Sequence, residues 1–409
     1  MSNNGQESET TISDLPDECL RQIFLNVPMS TIPGKSWISL RAVLFNVKNQ
    51  RNSLSFLLVC TRWTEIIDDC WREFKRLLLY DGAAKLTLIS SPETLLAVTS
   101  NESLNRRTAH ELIEYCGPHL RVLMEHRKLL STPSIMALAA KECPNLCEFS
   151  GFLMTKTDAI QLRELLDACK YMKNLKVHIL AEQLYSFFQG IPTHQLEQLS
   201  IFASSIADRN LPKYIKATIR HCQVLQGLFI DYVDDELVEL LTNLRQLCLG
   251  RPDFTMIDRY RPLPLIHDKF LVSMSKKCLQ LETIKLQHCI NVTDQGISVL
   301  SALPNLKVLH LLCLPGVTGK YLKKFVNIKE LNLVGCPASD VEVTGILKNC
   351  HVLQTLDVIC TKITDKTLEV AVKVTKKRTN NITLKIHCYH TMAHPEIFEG
   401  ASPLLKTVR

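Results

Sequence analysis

A six-residue pattern, L-x-x-L-x-L, recurs along most of this chain and constrains its fold more than any other feature. Four clear copies lie 22 to 25 residues apart and begin at Leu281, Leu306, Ile328 and Leu353. Weaker copies bring the total to about eleven units and begin at Leu120, Leu146, Met172, Leu196, Leu225, Leu244 and Ile382. A single unit cannot bury its own apolar face, so neighbouring copies must stack into a solenoid.

Each unit is predicted to contain one short strand and one helix. The alternating apolar positions of L-x-x-L-x-L indicate a strand with one buried face, and the residues that follow have helical periodicity. Thr293 and Thr364 stand where helix N-caps are expected. The sequence therefore predicts an α/β fold, with a parallel sheet on the concave side of a solenoid and helices outside, over residues 117–400.

Sixteen cysteines are scattered singly along the chain, mostly inside apolar runs. The polar first residues lack an apolar signal core, so we expect reduced, buried thiols in a cytoplasmic or nuclear protein. One series follows the strands and another ends the helical segments. The first series could suggest a metal ladder, but neighbours about 4.8 Å apart form a line and not a tetrahedron. We interpret both as packing positions, at Cys289, Cys313, Cys336 and Cys360, and at Cys143, Cys169, Cys222, Cys278 and Cys350.

Composition and charge indicate a soluble protein. Hydrophobic residues make up 46% of the chain and charged residues 22%, and the net charge of +7 is spread widely. No apolar run approaches the roughly 20 residues that cross a bilayer, so no membrane partner is expected. The basic cluster Lys376 to Arg378 is interpreted as a solvated helix end and not as a nucleic-acid site.

No catalytic constellation is evident, so we expect neither an enzyme nor a cofactor. Gly316 to Lys320 lacks the spacing of a phosphate-binding loop. Cys60 lies two residues from Arg62, a cation that could lower the pKa of its thiol, but no histidine is near it in sequence. We therefore interpret Cys60 as a buried packing residue and not as a nucleophile. The best metal candidate is the group His387, Cys388, His390 and His394. No second group of ligands is evident in the sequence to complete a metal site, so we expect no metal there.

The N-terminal residues lack the L-x-x-L-x-L pattern and have apolar residues at helical spacing instead. Pro16 suits the first turn of a helix, and Cys19, Leu20, Ile23, Phe24 and Val27 form one apolar stripe. A second helix is predicted from Leu54 to about Cys70. A helical module this small has little core of its own, which favours a partner for part of its apolar face.

The order L-P-D-E-C-L-R-Q-I-F, then V-C-T-R-W, then Trp71 resembles the F-box, and the repeats from Cys278 and Cys350 resemble the cysteine-containing leucine-rich-repeat class. Together they resemble the F-box and leucine-rich-repeat family. The resemblance implies docking on a Skp-type adaptor, and through it on a cullin-RING ubiquitin ligase. The adaptor-binding residues that it implies are Leu15, Pro16, Leu20, Ile23, Phe24, Val59, Trp63 and Trp71.

The predicted boundaries follow from these patterns. Residues 1–13 form a disordered tail, and 14–75 form the F-box with an insertion at about 28–53, either an extended loop or an extra helix. A helical linker over 76–116 leads into the repeats of 117–400, and 401–409 is a tail.

Target binding is predicted on the concave face, because the residue between the last two apolar positions points away from the core. This column runs from Ser200 to Asp357 and on to Lys385, with a flanking column that includes His387. A long insertion, 251–267, is a hypothetical second contact. The predicted target-binding residues are Phe202, Phe229, Lys285, His310, Asn332, Asp357, Phe254 and Tyr260. Two functions fit: a substrate-recognition subunit of an SCF-type ligase, or a scaffold without ubiquitylation.

Overall fold

The computed structural model describes residues 16–19, 72, 75–81, 95–100, 110, 113–114, 116–125, 135–179, 192–203, 211–230, 233, 236–250 and 266–408. The chain forms two compact units. The first comprises Met1–Phe152 and Ile160–Met172, and the second comprises Leu153–Ala159 and Lys173–Arg409.

The described residues of the first unit include four short parallel strands and two α-helices. Its strands are β1 (Arg76–Asp81), β2 (Leu95–Ser100), β3 (Val122–Glu125) and β4 (Glu148–Leu153). β1 lies between β2 and β3, and β3 pairs with β4. Helices α1 (Ile135–Glu142) and α2 (Lys156–Ala168) follow β3 and β4 in the chain.

The prediction of a helical linker over 76–116 is wrong for much of the described length of this segment, because the strands β1 and β2 lie there. Both segments are short and rich in Leu or β-branched residues, and strand pairing decides the structure of such runs. Only single residues or pairs near the end of the segment, such as Ile113 and Glu114, are helical.

The second unit repeats strand and helix along its length. Its strands are β5 (Asn174–Ile179), β6 (Gln198–Ala203), β7 (Gly227–Ile230), β8 (Gln246–Leu249), β9 (Thr283–Gln287), β10 (Val308–Leu312), β11 (Glu330–Asn332), β12 (Thr355–Asp357), β13 (Leu384–His387) and β14 (Leu405–Val408). Each pairs in parallel with the next. Its helices are α3 (Leu211–His221), α4 (Asp268–Lys277), α5 (Asp294–Val299), α6 (Asp340–Asn349) and α7 (Asp365–Lys376).

Several repeats carry a 3₁₀ helix in addition to an α-helix or in place of one. These short helices are Gly117–His119, Leu237–Leu240, Leu300–Ala302, Leu322–Lys324 and Pro395–Phe398. The eleven strands predicted from L-x-x-L-x-L are all present, as β3 to β13, and the α/β leucine-rich-repeat solenoid is confirmed. Thr293 and Thr364 are N-caps, since their side chains accept from the N–H groups of Gln295 and Lys366.

Alternation along each strand builds the core. In β9, Ile284 and Leu286 are fully buried, whereas Thr283, Lys285 and Gln287 are half-buried. The buried side faces the helices, and their apolar residues complete the core between strand and helix. Each strand therefore exposes alternate residues on the opposite side of the sheet, which we name the open face.

The cysteines at the helix ends are core thiols, as predicted. Cys169, Cys222 and Cys278 are buried, and burial raises the pKa of each to about 11. Cys350 donates from Sγ to the carbonyl oxygen of Ile328 at 3.1 Å, so it also connects the end of the helical segment to the start of the strand segment before it. Thiols this far from ionisation are inert packing groups at neutral pH.

The cysteines after the strands occupy two different positions, which the sequence interpretation did not separate. Cys289 and Cys336 are buried, as predicted. Cys313 and Cys360 stand one position earlier in the repeat, where the backbone is left-handed with φ of 52° and 57°. Gly335 takes the same left-handed position between them with φ of 69°. Cys360 is exposed, so the prediction that it is a packing residue is wrong.

The C-terminal residues predicted as a tail contain a further strand. Leu405 to Val408 form β14 and pair in register with Leu384 to His387. The polar residues Lys406 and Thr407 interrupt the apolar pattern, so the sequence did not indicate a strand here. Leu405 is nevertheless buried. No helix within the described ranges is long and apolar enough to span a membrane.

Candidate protein-binding face

One row of side chains crosses the open face of the second unit. Strand register aligns its members from β5 to β13, and we name it the central row. It consists of Lys176, Ser200, Phe229, Cys248, Lys285, His310, Asn332, Asp357 and His387.

The last repeat shifts the predicted column by two residues. Asp357 aligns with His387, and Lys385 aligns with Thr355. The segment from Ile382 to Cys388 contains two overlapping apolar patterns, and pairing with β12 and β14 selects the second one. Lys385 therefore lies beside the central row, in register with Lys406 of β14.

Phe202 is not the exposed aromatic that the sequence predicts. Only 7% of its surface is exposed, because the ring of His178 stacks on it with centroids 5.1 Å apart. The ammonium group of Lys176 lies 5.6 Å from the centroid of the same ring. The ring of Phe202 is therefore covered by the side chains of His178 and Lys176 and is not an exposed contact for a ligand.

Phe229 and Lys285 keep the predicted orientation, on either side of a buried thiol. Phe229 is half-buried in the central row, and Cys248 next to it is 2% exposed. Burial raises the pKa of Cys248 to about 11. Lys285, on the other side of Cys248, makes no ion pair with any described residue, and its ammonium group therefore leaves a positive charge at this point of the face.

His310 is held neutral at pH 7 by its surroundings. Burial lowers its pKa, and the ammonium of Lys285 lowers it further, although Glu330 acts in the opposite direction. The Nε2 atom of His310 and the Oε2 atom of Glu330 are 3.7 Å apart, which is too long for a strong hydrogen bond. Burial and Lys285 thus outweigh this contact.

Asn332 and Asp357 form a hydrogen-bonded pair in the centre of the face. Asn332 donates from Nδ2 to an Asp357 carboxylate oxygen at 3.2 Å. The other carboxylate oxygen accepts from the N–H of Ile359, and the amide oxygen of Asn332 accepts from the N–H of Val334. Burial raises the pKa of Asp357, although the bond from Ile359 and the neighbouring His387 act against this.

Two further groups flank the central row. Leu312, Val334 and Ile359 follow it by two residues and are half-buried, which gives a short apolar strip. Lys385 and Lys406 precede it and are exposed. The open face thus combines a polar row, an apolar strip and separate lysines, which suits a protein or peptide ligand.

Several predicted site residues lie outside the described part of the chain. Phe254 and Tyr260 of the 251–267 insertion are among them, and so is the insertion at 28–53. Of the predicted adaptor-binding residues, the structure describes Pro16 alone, which is exposed and precedes the helical residues Asp17 to Cys19. The other seven, Leu15, Leu20, Ile23, Phe24, Val59, Trp63 and Trp71, lie outside the described ranges.

The sequence interpretation missed two lysines of the open face. Lys176 occupies the same position in the weak copy at Met172, so extending the column by one repeat would have found it. Lys406 had no such signal, because β14 does not match L-x-x-L-x-L.

The terminal histidines are dispersed and do not converge on one point. His394 donates from its backbone N–H to Asp365 at 2.7 Å, and its ring Nδ1 lies 3.1 Å from the same carboxylate. The Nε2 atom of His387 is buried and has no hydrogen-bond partner among the described residues. Among the residues that the structure describes, no cluster of three or more His, Cys, Asp or Glu side chains could hold a metal ion.

Comparisons with known proteins give structural neighbours only. No protein-family model matches the sequence. No curated protein is significantly similar to it. The chain is similar to the Rad7 and Elc1 complex from yeast at 17% identity with a TM-score of 0.47, covering 96% of this chain and 92% of that one. It is also similar to an internalin (inlF) from Listeria monocytogenes str. 4b F2365 at 13% identity with a TM-score of 0.40, covering 90% and 92%. Neither similarity carries a functional argument.

Proposed function

We propose that this protein is the substrate-recognition subunit of an SCF-type E3 ubiquitin ligase. The observation that carries the proposal is the order L-P-D-E-C-L-R-Q-I-F, V-C-T-R-W and Trp71 ahead of a leucine-rich-repeat array. The N-terminal module binds a Skp-type adaptor and, through it, a cullin-RING ligase. The open face of the repeats binds the protein target.

The proposed role is non-catalytic. The protein holds its target near a ubiquitin-loaded conjugating enzyme, and the acceleration comes from proximity and orientation. The mixed polar and apolar open face supports protein binding, since interface cores combine apolar contact with a few directed polar groups. A cytoplasmic or nuclear location belongs to the same proposal, and every cysteine in the described ranges is a free thiol, which suits a reducing compartment.

Affinity purification of the full-length tagged protein, followed by mass spectrometry, tests the proposal. We expect a Skp-type adaptor and a cullin to copurify with the wild type. The double variant Leu15→Ala/Pro16→Ala is expected to lose both and to retain target proteins, because the change removes apolar contact only from the N-terminal module. Val341→Ala is a matched control, since this apolar side chain on α6 is 76% exposed.

The alternative function is a leucine-rich-repeat scaffold that binds a protein without ubiquitylation. Under that function, target proteins copurify with the wild type, and neither adaptor nor cullin is recovered. That result would defeat the ligase proposal and leave the open face as a binding surface.

A further inference from the structure

The described part of the open face carries more positive than negative charge. In the second unit, its cations are Lys176, Lys285, Lys385 and Lys406, and its only carboxylates among the described residues are Glu330 and Asp357. Both oxygens of Asp357 already accept hydrogen bonds from this chain, from Asn332 and Ile359. Charge complementarity therefore favours an acidic ligand over a basic one.

Lys285 is the cation best placed to receive a carboxylate. It is half-buried in the central row between Cys248 and His310, so part of its side chain is shielded from water. The neighbouring imidazole is neutral at pH 7 and the neighbouring thiol is protonated, so neither neutralises the lysine. An ion pair formed at a partly buried cation is stronger than one at an exposed cation, because water screens it less.

Lys385 and Lys406 form a second cationic point. The two residues stand directly opposite each other on β13 and β14, and both side chains are exposed. Like charges directly opposite on neighbouring strands repel each other. A carboxylate from a ligand that approaches both ammonium groups would relieve this repulsion, so the pair is a favourable anion contact.

The apolar strip occupies the three strands between these two cationic points, on the side of the central row opposite Lys385 and Lys406. Leu312, Val334 and Ile359 belong to β10, β11 and β12, whereas Lys285 belongs to β9 and Lys385 to β13. The N–H groups of Val334 and Ile359 are bonded to Asn332 and Asp357. What these two residues offer to a ligand is therefore mainly their half-buried side chains, which suit an apolar contact.

The spacing fixes the ligand's pattern. Four strand separations of about 4.8 Å, together with an offset of two residues along the strands, place the Cα atoms of Lys285 and Lys385 roughly 20 Å apart. An extended peptide advances about 3.3 Å per residue, so about six residues cover this distance.

We propose that the open face between β9 and β14 binds an extended acidic segment of a partner protein. One Asp or Glu contacts Lys285, and a second Asp or Glu, about six residues from the first, contacts Lys385 and Lys406. An apolar side chain midway between them points to the other side of the extended segment and packs on Leu312, Val334 and Ile359. The inference rests on the proposed role of the open face in target binding and names the chemistry of the target.

Direct binding of a short fluorescein-labelled peptide to the full-length protein tests the inference. The probe has Glu at both ends, about six residues apart, Leu in the centre and Ser or Thr elsewhere. We expect saturable binding that weakens with rising salt, because ion pairs contribute to it. A probe with Lys at both ends is expected to bind about tenfold more weakly or not at all, a difference that corresponds to about 1.4 kcal/mol.

Three variants assign the contacts. Lys285→Glu and Lys385→Glu are each expected to weaken binding of the acidic probe about tenfold, and Leu312→Ser to weaken it by a smaller factor. Lys385 is exposed, so its variant keeps the test valid if Lys285→Glu folds poorly. Lys366→Glu is the matched control, since it reverses the same charge at an exposed position of α7, and we expect unchanged binding.

Three outcomes would overturn the inference. They are equal binding of the acidic and basic probes, an effect of Lys366→Glu as large as that of Lys385→Glu, or binding only when phosphoserine replaces Glu, which would assign the site to a phosphorylated segment. Failure to recover adaptor and cullin while the acidic probe binds would defeat the ligase role alone. Recovery of both without probe binding would defeat the acidic-segment inference alone.

Discussion

Arg378 shows how one side chain can replace another in a repeat. In the repeat before it, Cys350 donates to the carbonyl of Ile328, the first apolar position of the preceding strand segment. Arg378 donates from Nη1 to the equivalent carbonyl of Leu353 at 2.9 Å and to Ile382 at 2.9 Å. It is 8% exposed, so the interpretation of Lys376 to Arg378 as a solvated helix end is wrong at this residue.

Burial of Arg378 has a cost that its hydrogen bonds offset. Its Nε and Nη2 atoms are buried and have no hydrogen-bond partner in the part of the chain that the structure describes. Burial also lowers the pKa of the guanidinium. We expect Arg378→Ala to lower the free energy of unfolding by about 3 kcal/mol, since it leaves a cavity and two carbonyls without this donor. Arg378→Met fills the space and removes the charge, so its loss is expected to be nearer 1 kcal/mol.

Urea unfolding followed by circular dichroism measures both changes. Lys377→Ala is the control, because Lys377 is the exposed neighbour and its loss is expected to change stability by less than about 0.5 kcal/mol. A loss for Arg378→Met equal to that for Arg378→Ala would show that the hydrogen bonds, and not packing, account for the stability.

At the scale of elements, aspartates connect the starts of the last four α-helices to the next repeat. Asp268, Asp294, Asp340 and Asp365 are the first residues of α4, α5, α6 and α7. Each accepts hydrogen bonds from a later turn: Asp268 from Thr293, Asp294 from Thr318 and Gly319, Asp340 from Thr364 and Thr367, and Asp365 from His394. A carboxylate at a helix N-terminus also interacts favourably with the helix dipole.

Asp340 provides the pH test of this device. Burial alone would raise its pKa, but hydrogen bonds from Thr364 and Thr367 outweigh burial and hold the pKa below the usual 3.8. The stabilisation is therefore complete above the unfolded pKa and is lost as pH falls through the folded value. We expect Asp340→Asn to lose about 1–2 kcal/mol at pH 7, and this difference from the wild type to shrink as pH falls below about 4.

Urea midpoints of wild type and variant at pH 7 and at pH 3 measure this prediction. Asp167→Asn serves as the control, because Asp167 is exposed on α2, and we expect it to leave the midpoint unchanged at both pH values. A difference between wild type and Asp340→Asn that stays constant across the pH range would contradict the role of the ionised carboxylate.

The sequence predicts elements better than it predicts register and burial. β3 to β13 and the caps at Thr293 and Thr364 follow from local patterns, since strand alternation and cap chemistry need only a few neighbouring residues. The register of His387 and Lys385 depends on which of two apolar patterns pairs with β12. The formation of β14 depends on its pairing with β13, which no local pattern indicates. The burial of Phe202 depends on His178, which lies on another strand.

For the second unit as a whole, stability is expected to be close to a sum of repeats and of contacts between neighbours. β14 contacts one strand, β13, whereas β11 pairs with both β10 and β12. A change in β14 therefore alters one junction, and the same change in β11 alters two. Leu405 and Leu331 are buried leucines at these positions, with exposures of 7% and 1%.

Amide hydrogen exchange on the full-length protein distinguishes the two positions. Leu405→Ala is expected to increase exchange in β13 and β14 and to leave the amides of β9 to β11 protected, because the lost burial is confined to the last junction. Leu331→Ala is expected to increase exchange on both sides of β11, from β9 to β13, and to lower the free energy of unfolding by about 2–4 kcal/mol. Uniform loss of protection across β5 to β14 in both variants would show instead that the unit unfolds as one cooperative body, so that a contact at the last strand stabilises the binding face as much as a contact beneath it.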